Sequence, residues 1–214
     1  MKIKWLGHSC FLITSDAGVR IITDPYMPAR DLMYGEINEA ADIVTVSHEH
    51  FDHNNTKAVR GNPFVLRKSG RAKGIDFKAV PAFHDENKGR QRGTNNIFCF
   101  TIDGLRICHA GDLGHVLDDK TTGELGQVDI LLVPVGGNFT IDSANADKVI
   151  NMIKPRVVIP MHYQTEKSRG MNISGVDAFI KGKPNLTRFD SSEVELSKDK
   201  LPATGQIIVL RPAL

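Results

Sequence analysis

Short apolar runs, separated by turns rich in glycine and aspartate, recur along the chain and predict a β-rich protein. Runs of apolar and β-branched residues bounded by such turns are typical of strands. The predicted strands cover residues 2–6, 10–14, 19–23, 42–46, 63–67, 75–80, 97–102, 105–108, 129–133 and 157–159. Two further runs, at residues 193–196 and 207–210, are expected to close the chain as a hairpin.

Helical periodicity is limited to a few segments. The strongest helix is predicted to begin at Asp142 or Ser143 and to end at residue 153, because apolar residues share one face and Pro155 follows. Shorter helical segments are predicted at residues 31–34, 54–59 and 174–180.

The two halves of the chain share a pattern. An apolar triplet, a Gly-apolar-Arg-Ile run and a short Asp-Ile-containing run occur within residues 11–44 and again, at nearly equal spacing, within residues 98–131. A true repeat predicts two similar β-rich halves packed face to face, each with helices on its outer side. The alternative is that short β-hairpins simply look alike.

The densest group of polar residues follows the predicted strand at residues 42–46. His48, His50, Asp52 and His53 lie within six residues there. Imidazole nitrogen and carboxylate oxygen are ligands that Zn²⁺ prefers, and they also bind Mn²⁺ and Fe²⁺. Because residues 48 and 50 point the same way in an extended chain, this spacing favours a metal site over the alternative, a polar loop with surface histidines.

Other candidate ligands follow other predicted strands. His84, Asp112 and His162 each stand at such a strand end, and His109 and His115 flank Asp112. Functional side chains concentrate on loops that a rigid scaffold positions. We therefore expect these ligands to converge with the first cluster on one or two metal ions.

Composition restricts the number of domains and the classes of partner that the protein can have. A chain of 214 residues with 41% hydrophobic content can bury its core as one domain over residues 1–214. The formal charge of +2, without long charge blocks, gives no nucleic-acid signal. Neither a secretory signal nor a membrane-spanning run is visible, so a cytoplasmic protein without a membrane partner is expected. Cys10, Cys99 and Cys108 lie in apolar runs and are expected to be buried free thiols.

The order of these ligand segments resembles that of the metallo-β-lactamase superfamily. The pattern spans almost the whole chain and looks most like the compact branch related to sugar-phosphate lactonases and phospholipid phosphodiesterases. Four further segments support the resemblance, namely Trp5-Leu6-Gly7-His8-Ser9, Thr23-Asp24-Pro25, Ala110-Gly111-Asp112 and Pro160-Met161-His162.

The resemblance implies an α/β fold, a four-layer αββα sandwich, with a dinuclear metal site along one edge. The implied ligands are His48, His50 and His84 for the first ion, Asp52, His53 and His162 for the second, and Asp112 as the bridge. Asp24 stands where the family has an aspartate, and it is expected to orient a ligand histidine rather than to bind metal.

Asp52, Asp112 and His109 are the candidate catalytic residues. His109 has three alternative roles: it could replace His84 as a ligand, donate a hydrogen bond to substrate, or pack in the interior. His8 and His115 could line the cleft or lie outside it.

A metal-dependent hydrolase of a small, anionic ester, lactone or phosphodiester is the leading functional hypothesis. Two divalent ions, zinc first with manganese or iron as alternatives, would generate the attacking hydroxide. Lys88, Arg90 and Arg92, in the loop of residues 85–95, favour an anionic substrate that this loop would clamp.

The alternatives are a di-iron redox protein and a non-catalytic metal-binding module. Redox relatives usually carry a glutamate where His50 stands and an appended flavin domain. The expected partner is a small molecule, and association into a homo-oligomer is left open.

Overall fold

Two β-sheets contain most of the regular structure. A computed structural model describes residues 1–203 and 205–214 of the protein. In chain order the strands are β1 (Lys2–Gly7), β2 (Cys10–Thr14), β3 (Arg20–Thr23), β4 (Ile43–Thr45), β5 (Phe64–Leu66), β6 (Gly70–Ala72), β7 (Ile75–Phe83), β8 (Thr94–Ile102), β9 (Leu105–His109), β10 (Ile130–Pro134), β11 (Val157–Met161), β12 (Leu186–Arg188), β13 (Glu193–Glu195) and β14 (Gln206–Val209).

The helices are fewer than the strands. The α-helices are α1 (Asp119–Leu125), α2 (Ser143–Ile153) and α3 (Asp177–Ile180), and the 3₁₀ turns are Thr56–Ala58, Glu166–Ser168 and Lys198–Lys200. Asp142 caps α2 by accepting a hydrogen bond from the Asn145 backbone N–H, as predicted. Within the described residues, no helix is long and apolar enough to cross a membrane.

The predicted repeat is visible in the sheet topology. The first sheet has the strand order β13-β1-β2-β3-β4-β5, and the second has β12-β14-β11-β10-β9-β8-β7-β6. Successive pairs from β1 to β5 are antiparallel, antiparallel, parallel and parallel. The pairs from β7 to β11 repeat this series. The mixed α/β fold with two sheets is therefore confirmed.

The two faces of the first sheet bury different cores. Ile21 of β3 packs into the main core, which contains side chains of both sheets, including Trp5 and Phe98. Ile22, the next residue along β3, faces a second core with Tyr26. Because successive strand residues point to opposite faces, the burial of both Ile21 and Ile22 shows that both faces of β3 are covered.

Helices do not cover both sheets in the same way. In the described residues all three α-helices follow β9 in the chain. The second core instead packs residues of the irregular segment 26–37 against the outer face of the first sheet. The expectation of outer helices in both halves was therefore wrong for the first half, where Thr56–Ala58 forms only a 3₁₀ turn.

The predicted C-terminal hairpin was also wrong. β13 pairs with β1 in the first sheet, whereas β14 pairs with β11 and β12 in the second. Two short apolar runs close in sequence suggest a hairpin, but β13 forms its backbone hydrogen bonds with β1, and β14 lies between β11 and β12. The helix predicted at residues 174–180 is confined to α3, and α1 was not predicted.

The cysteine prediction was wrong for one pair. Cys99 and Cys108 form a disulfide, and Cys10 is a free, buried thiol. The two residues are directly opposite each other on β8 and β9, with Cα atoms 4.3 Å apart. Sequence spacing alone did not show this register.

Candidate metal centre

The candidate ligands lie at one edge of the sandwich because the strands that carry them end there. In the second sheet, β7 and β9 are each antiparallel to β8, while β9, β10 and β11 are mutually parallel. The strands β7, β9 and β11 consequently end at the same edge, where His84, Asp112 and His162 follow them. Residues 48–53 follow β4 of the first sheet and reach the same point.

Three histidines form the first ligand group. Single ligand atoms of His48, His50 and His84 lie within 4.8 Å of one another. His48 Nε2 and His50 Nδ1 are 3.0 Å apart. The two imidazoles from one extended stretch thus meet a third from the other sheet, as the spacing predicts.

The second ligand group contains a carboxylate. Ligand atoms of Asp52, His53 and His162 lie within 4.8 Å of one another, together with that of His8. His53 Nε2 is 3.7 Å from Asp52 Oδ2. A donor set of nitrogen and carboxylate oxygen suits a borderline divalent ion.

Asp112 lies between the two groups. Its Oδ2 atom is 3.2 Å from His84 Nε2 and 3.9 Å from His48 Nε2 on the first side. On the second side it is 3.2 Å from His53 Nε2 and 3.4 Å from His162 Nε2. Ligands about 2.0–2.1 Å from a tetrahedral ion are about 3.3 Å apart, so these separations fit ligands that share an ion.

The hydrogen bonding of the same atoms supports this fit. Among residues 1–203 and 205–214, seven buried side-chain polar atoms have no hydrogen-bond partner. Five belong to candidate ligands, namely His53 Nε2, His84 Nδ1, Asp112 Oδ1 and both ring nitrogens of His162. Buried polar atoms normally find partners, and unpaired atoms gathered at one place indicate an ion site.

Asp24 organises the ligands from behind. Its Oδ2 atom is 2.9 Å from His53 Nδ1 and accepts a hydrogen bond from Ser47 Oγ at 2.5 Å. Ser47 Oγ is in turn 2.9 Å from His48 Nδ1. Asp24 is fully buried, and both of its oxygens are engaged, because Oδ1 accepts from the Ser47 backbone N–H. Asp24 is thus placed to hold the His53 ring in its orientation. Ser47, which was not predicted from the sequence, links Asp24 to His48 and holds that ring in turn.

The ionisable groups of the centre influence one another strongly. Burial, reinforced by His53, lowers the pKa of His48 to about 3. Burial also lowers the pKa of His53, but Asp112 and Asp52 outweigh it and raise that pKa well above its ordinary value. For Asp112, burial raises the pKa, while His162 and His53 outweigh it and hold the pKa well below the usual range. His53 and Asp112 thus each favour the charged form of the other.

His109 lies in the interior and does not line the cleft described below. It is fully buried, its Nε2 donates to the Ser9 carbonyl at 2.8 Å, and its Nδ1 accepts from the Gly111 backbone N–H at 3.3 Å. Both nitrogens are therefore occupied in the interior. Of the three alternatives for His109, this placement favours packing in the interior.

His115 likewise has an internal place. Its Nε2 accepts a hydrogen bond from the Phe83 backbone N–H at 3.2 Å, and its Nδ1 lies 2.8 Å from the Val116 carbonyl. It thereby supports the strand that ends in His84 and does not line the cleft described below.

Two glycines pack directly against ligand-bearing backbone. A Cβ atom added at Gly114 would overlap the backbone of His84 and Asp85, and one added at Gly136 would overlap the His162 carbonyl. These close approaches explain why the sequence carries glycine at both positions. The close contacts join segments that are distant in sequence, so the sequence alone did not show them.

We expect Gly136→Ala to lower the free energy of unfolding by about 1–3 kcal/mol, because the added methyl must displace the His162 backbone. The matched control is Gly123→Ala in α1, where an added Cβ has no atom within 4 Å. That variant should be neutral or more stable by up to about 1 kcal/mol. Urea unfolding of both metal-free variants measures the difference. Equal stabilities would contradict the packing argument.

The loop after His84 is held by Asp85. Its carboxylate accepts hydrogen bonds from four backbone N–H groups, those of Asn87, Gly89, Gln91 and Arg92, at 2.8–3.0 Å. Desolvation raises the pKa of Asp85, but the N–H groups of Arg92 and Gln91 outweigh it and lower that pKa. The loop is therefore a compact, anchored turn rather than an extended segment.

A cleft of about 730 Å³ opens over the candidate ligands. Arg92 lines it and is half-buried, whereas Lys88 and Arg90 are exposed. Arg90 does not line the cleft beside Arg92, because the loop is a compact turn rather than extended backbone. Of the three cations in this loop, Arg92 is the one that the fold brings to the candidate centre.

Known proteins match both this sequence and this fold. A sequence profile of the Beta-lactamase superfamily domain matches residues 2–162. A UPF0173 metal-dependent hydrolase of Carboxydothermus hydrogenoformans is 34% identical over 196 residues, covering 77% of this chain and 85% of the relative. Another, from Nanoarchaeum equitans, is 33% identical over 219 residues, covering 86% of this chain and 97% of the relative.

A solved structure from Thermotoga maritima is also similar. It is provisionally described as a Zn-dependent hydrolase of the metallo-β-lactamase superfamily, and it superposes with a TM-score of 0.81 at 36% identity, covering 98% of this chain and 97% of that one. The match extends over both sheets and over every segment that carries a candidate ligand. The chain thus belongs to the metallo-β-lactamase superfamily, as a metal-dependent hydrolase of the UPF0173 group.

Proposed function

We propose that this hydrolase acts on a small anionic ester, lactone or phosphodiester by means of a hydroxide generated at a dinuclear metal site. The observation that carries the proposal is the position of Asp112, with one group of candidate ligands on each side. Asp112 Oδ2 lies within 3.2–3.9 Å of a nitrogen of His48, His53, His84 and His162. A carboxylate placed in this way can bridge two ions.

The residues of the chain have distinct tasks in this proposal. His48, His50 and His84 would hold the first ion, Asp52, His53 and His162 the second, and Asp112 both. Two such ions supply a nucleophilic hydroxide near neutral pH and polarise the oxygen under attack. Asp24 would keep His53 oriented, and Ser47 would do the same for His48. Zinc is the first candidate, because imidazole nitrogen dominates the donor set, with manganese and iron as alternatives.

The anionic preference is supported by the lining of the cleft. The Arg92 guanidinium carbon lies 4.7 Å from the centre of the Phe139 ring, a cation–π contact that fixes its orientation. Arg92 also donates its backbone N–H to Asp85, so both ends of the residue are held. A guanidinium fixed beside a hydrolytic centre suits a carboxylate or phosphate group of a substrate.

A substrate screen after metal reconstitution tests the proposed function. Metal-free protein is reloaded with zinc or manganese and assayed on panels of esters, lactones and phosphodiesters, with His48→Ala as the blank. We expect activity that depends on metal and is lost in the variant. Activity that is equal in the blank, or absent from every panel despite full metal loading, would contradict the proposal.

We expect Arg92→Ala to lower kcat/KM on an anionic substrate by about ten- to a hundredfold, because a charged hydrogen bond contributes about 1.5–3 kcal/mol. Metal content should not change. Arg90→Ala is the matched control, since Arg90 belongs to the same loop but is exposed. An equal fall in kcat/KM for both variants would show that Arg92 does not bind the anionic group of the substrate. An equal fall for Arg92→Ala on an uncharged ester would show the same.

A further inference from the structure

The apolar lining of the cleft is unexplained by the chemistry of the centre. Phe51 stands between His50 and Asp52, yet 54% of its surface is exposed. Single exposed apolar residues are ordinary, but a contiguous group beside a functional centre is informative. Phe51 belongs to such a group, because Leu32, Phe139 and Met171 line the same cleft.

A second exposed apolar residue, Met27, is bonded through its backbone to Phe51. Met27 is 49% exposed, and its backbone N–H donates to the Phe51 carbonyl at 3.1 Å. The cleft thus presents apolar side chains next to the Arg92 guanidinium. A wholly polar anion would pair with Arg92 and leave Phe51 and Met171 in contact with water.

We propose that the substrate is amphipathic, with an anionic group that pairs with Arg92 and an apolar chain or ring that packs on Phe51 and Met171. This inference rests on the proposed function and specifies its substrate. The volume of the cleft, about 730 Å³, is in the range of pockets that hold small organic ligands.

A series of n-alkylphosphonates with one to eight carbons tests the inference by binding alone. Each member carries the same anionic head, so the increment per methylene isolates the apolar contact. Affinity for the metal-loaded protein, measured by titration calorimetry, is expected to rise about two- to fourfold per methylene until the chain leaves the cleft. Phe51→Ala should reduce this increment.

Phe64→Ala is the matched control, because Phe64 is 56% exposed and lies on β5, outside the lining of the cleft. It should keep the full chain-length dependence. Equal affinities along the series, or no binding by any member, would overturn the inference. A chain-length dependence without hydrolysis in the substrate screen would instead count against the proposed reaction, so the two failures are distinguishable.

A second and independent observation concerns His8. Its side chain is buried, and its Nε2 forms a hydrogen bond of 3.2 Å with Asp52 Oδ2. His53 and His162 place Nε2 at similar distances from Asp112 but make no hydrogen bond with it. The His8 ring is therefore oriented to donate a hydrogen bond to the Asp52 carboxylate. The rings of His53 and His162 are instead oriented as metal ligands would be.

The backbone holds His8 in this place. Its φ of 52° lies in the left-handed region, which non-glycine residues seldom adopt and which concentrates at functional sites. The His8 carbonyl accepts hydrogen bonds from Trp5 Nε1 at 3.0 Å and from the His162 backbone N–H at 3.2 Å. His8 thereby joins β1 to the segment that carries His162.

We infer that His8 is a positioning residue, which fixes the Asp52 carboxylate for the second ion. The test compares His8→Ala with His8→Gln, because both put the same strain on the left-handed backbone but only glutamine retains a donor near the Nε2 position. In calorimetric titration of metal-free protein, His8→Ala should weaken one of two binding events by about ten- to a hundredfold, and His8→Gln much less.

If His8→Ala does not fold, His8→Asn takes its place in the test. Asparagine tolerates the left-handed region but is too short to reach Asp52. It should show the alanine result. Unchanged affinity for both ions in His8→Ala or His8→Asn would overturn the inference. Equal weakening in the alanine and glutamine variants would also overturn it, because the effect would then be one of backbone strain.

Discussion

Replacing Asp112 with asparagine is expected to lower kcat/KM by about a thousandfold or more and to prevent simultaneous binding of two ions. The Asp112 carboxylate lies between both groups of candidate ligands, so its charge and its Oδ2 atom would serve both proposed ions at once. Asparagine preserves the volume but removes the charge that holds the site together. Ions of this kind contribute several kcal/mol to stabilising the transition state, which is the origin of the expected factor.

The measurements are metal content by elemental analysis and the rate on the best substrate of the screen. Asp76→Asn is the control, because Asp76 is exposed, with 79% of its side-chain surface accessible. It should retain both metal and activity. Full activity of Asp112→Asn with two bound ions would show that the carboxylate is not the bridge.

Removing the metal is expected to lower Tm by about 10 °C without unfolding the protein. An ion that binds only the native state adds about 4 kcal/mol of stability at a thousandfold excess over Kd, and a chain of this length gains about 2–4 °C per kcal/mol. The metal-free protein should remain folded, because the main core is formed by the sheets and helices rather than by the ligands.

Thermal unfolding followed by circular dichroism, with and without chelator, measures this shift. Asp112→Asn supplies the comparison, since its shift should be smaller. If chelation removes the metal and leaves Tm unchanged, metal binding is not coupled to folding, and the account of the buried unpaired nitrogens fails.

Much of this arrangement could be predicted from sequence because strand ends and ligand types are both local signals. The apolar run before His48 marks a buried strand. The end of that strand alone fixes where the candidate ligands that follow it lie. His84, Asp112 and His162 follow the same rule. All seven predicted ligands gather at one edge of the sandwich.

The features that were missed depend on contacts between distant segments. Ser47 and Asp24 are 23 positions apart, and only the fold joins them by a hydrogen bond. The pairing of Cys99 with Cys108 required the register of β8 on β9, which a one-residue shift would have changed. His109 carries the same chemistry as a ligand histidine, and only its burial shows that it packs inside.

The segment that covers the first sheet and the pairing of the last two strands, β13 and β14, were mispredicted for a related reason. An irregular segment with scattered apolar residues, such as 26–37, has no period from which packing can be read. Short strands such as β13 and β14 carry too few residues to specify a partner, so the available sheet edges decide.

Anomalous diffraction from crystals grown with zinc or manganese tests the central claim most directly. Two peaks are expected, one within ligand distance of His48, His50 and His84 and the other of Asp52, His53 and His162. They should lie about 3.5–4 Å apart with an oxygen of Asp112 between them. A single peak, or two peaks that do not share Asp112, would contradict the dinuclear site.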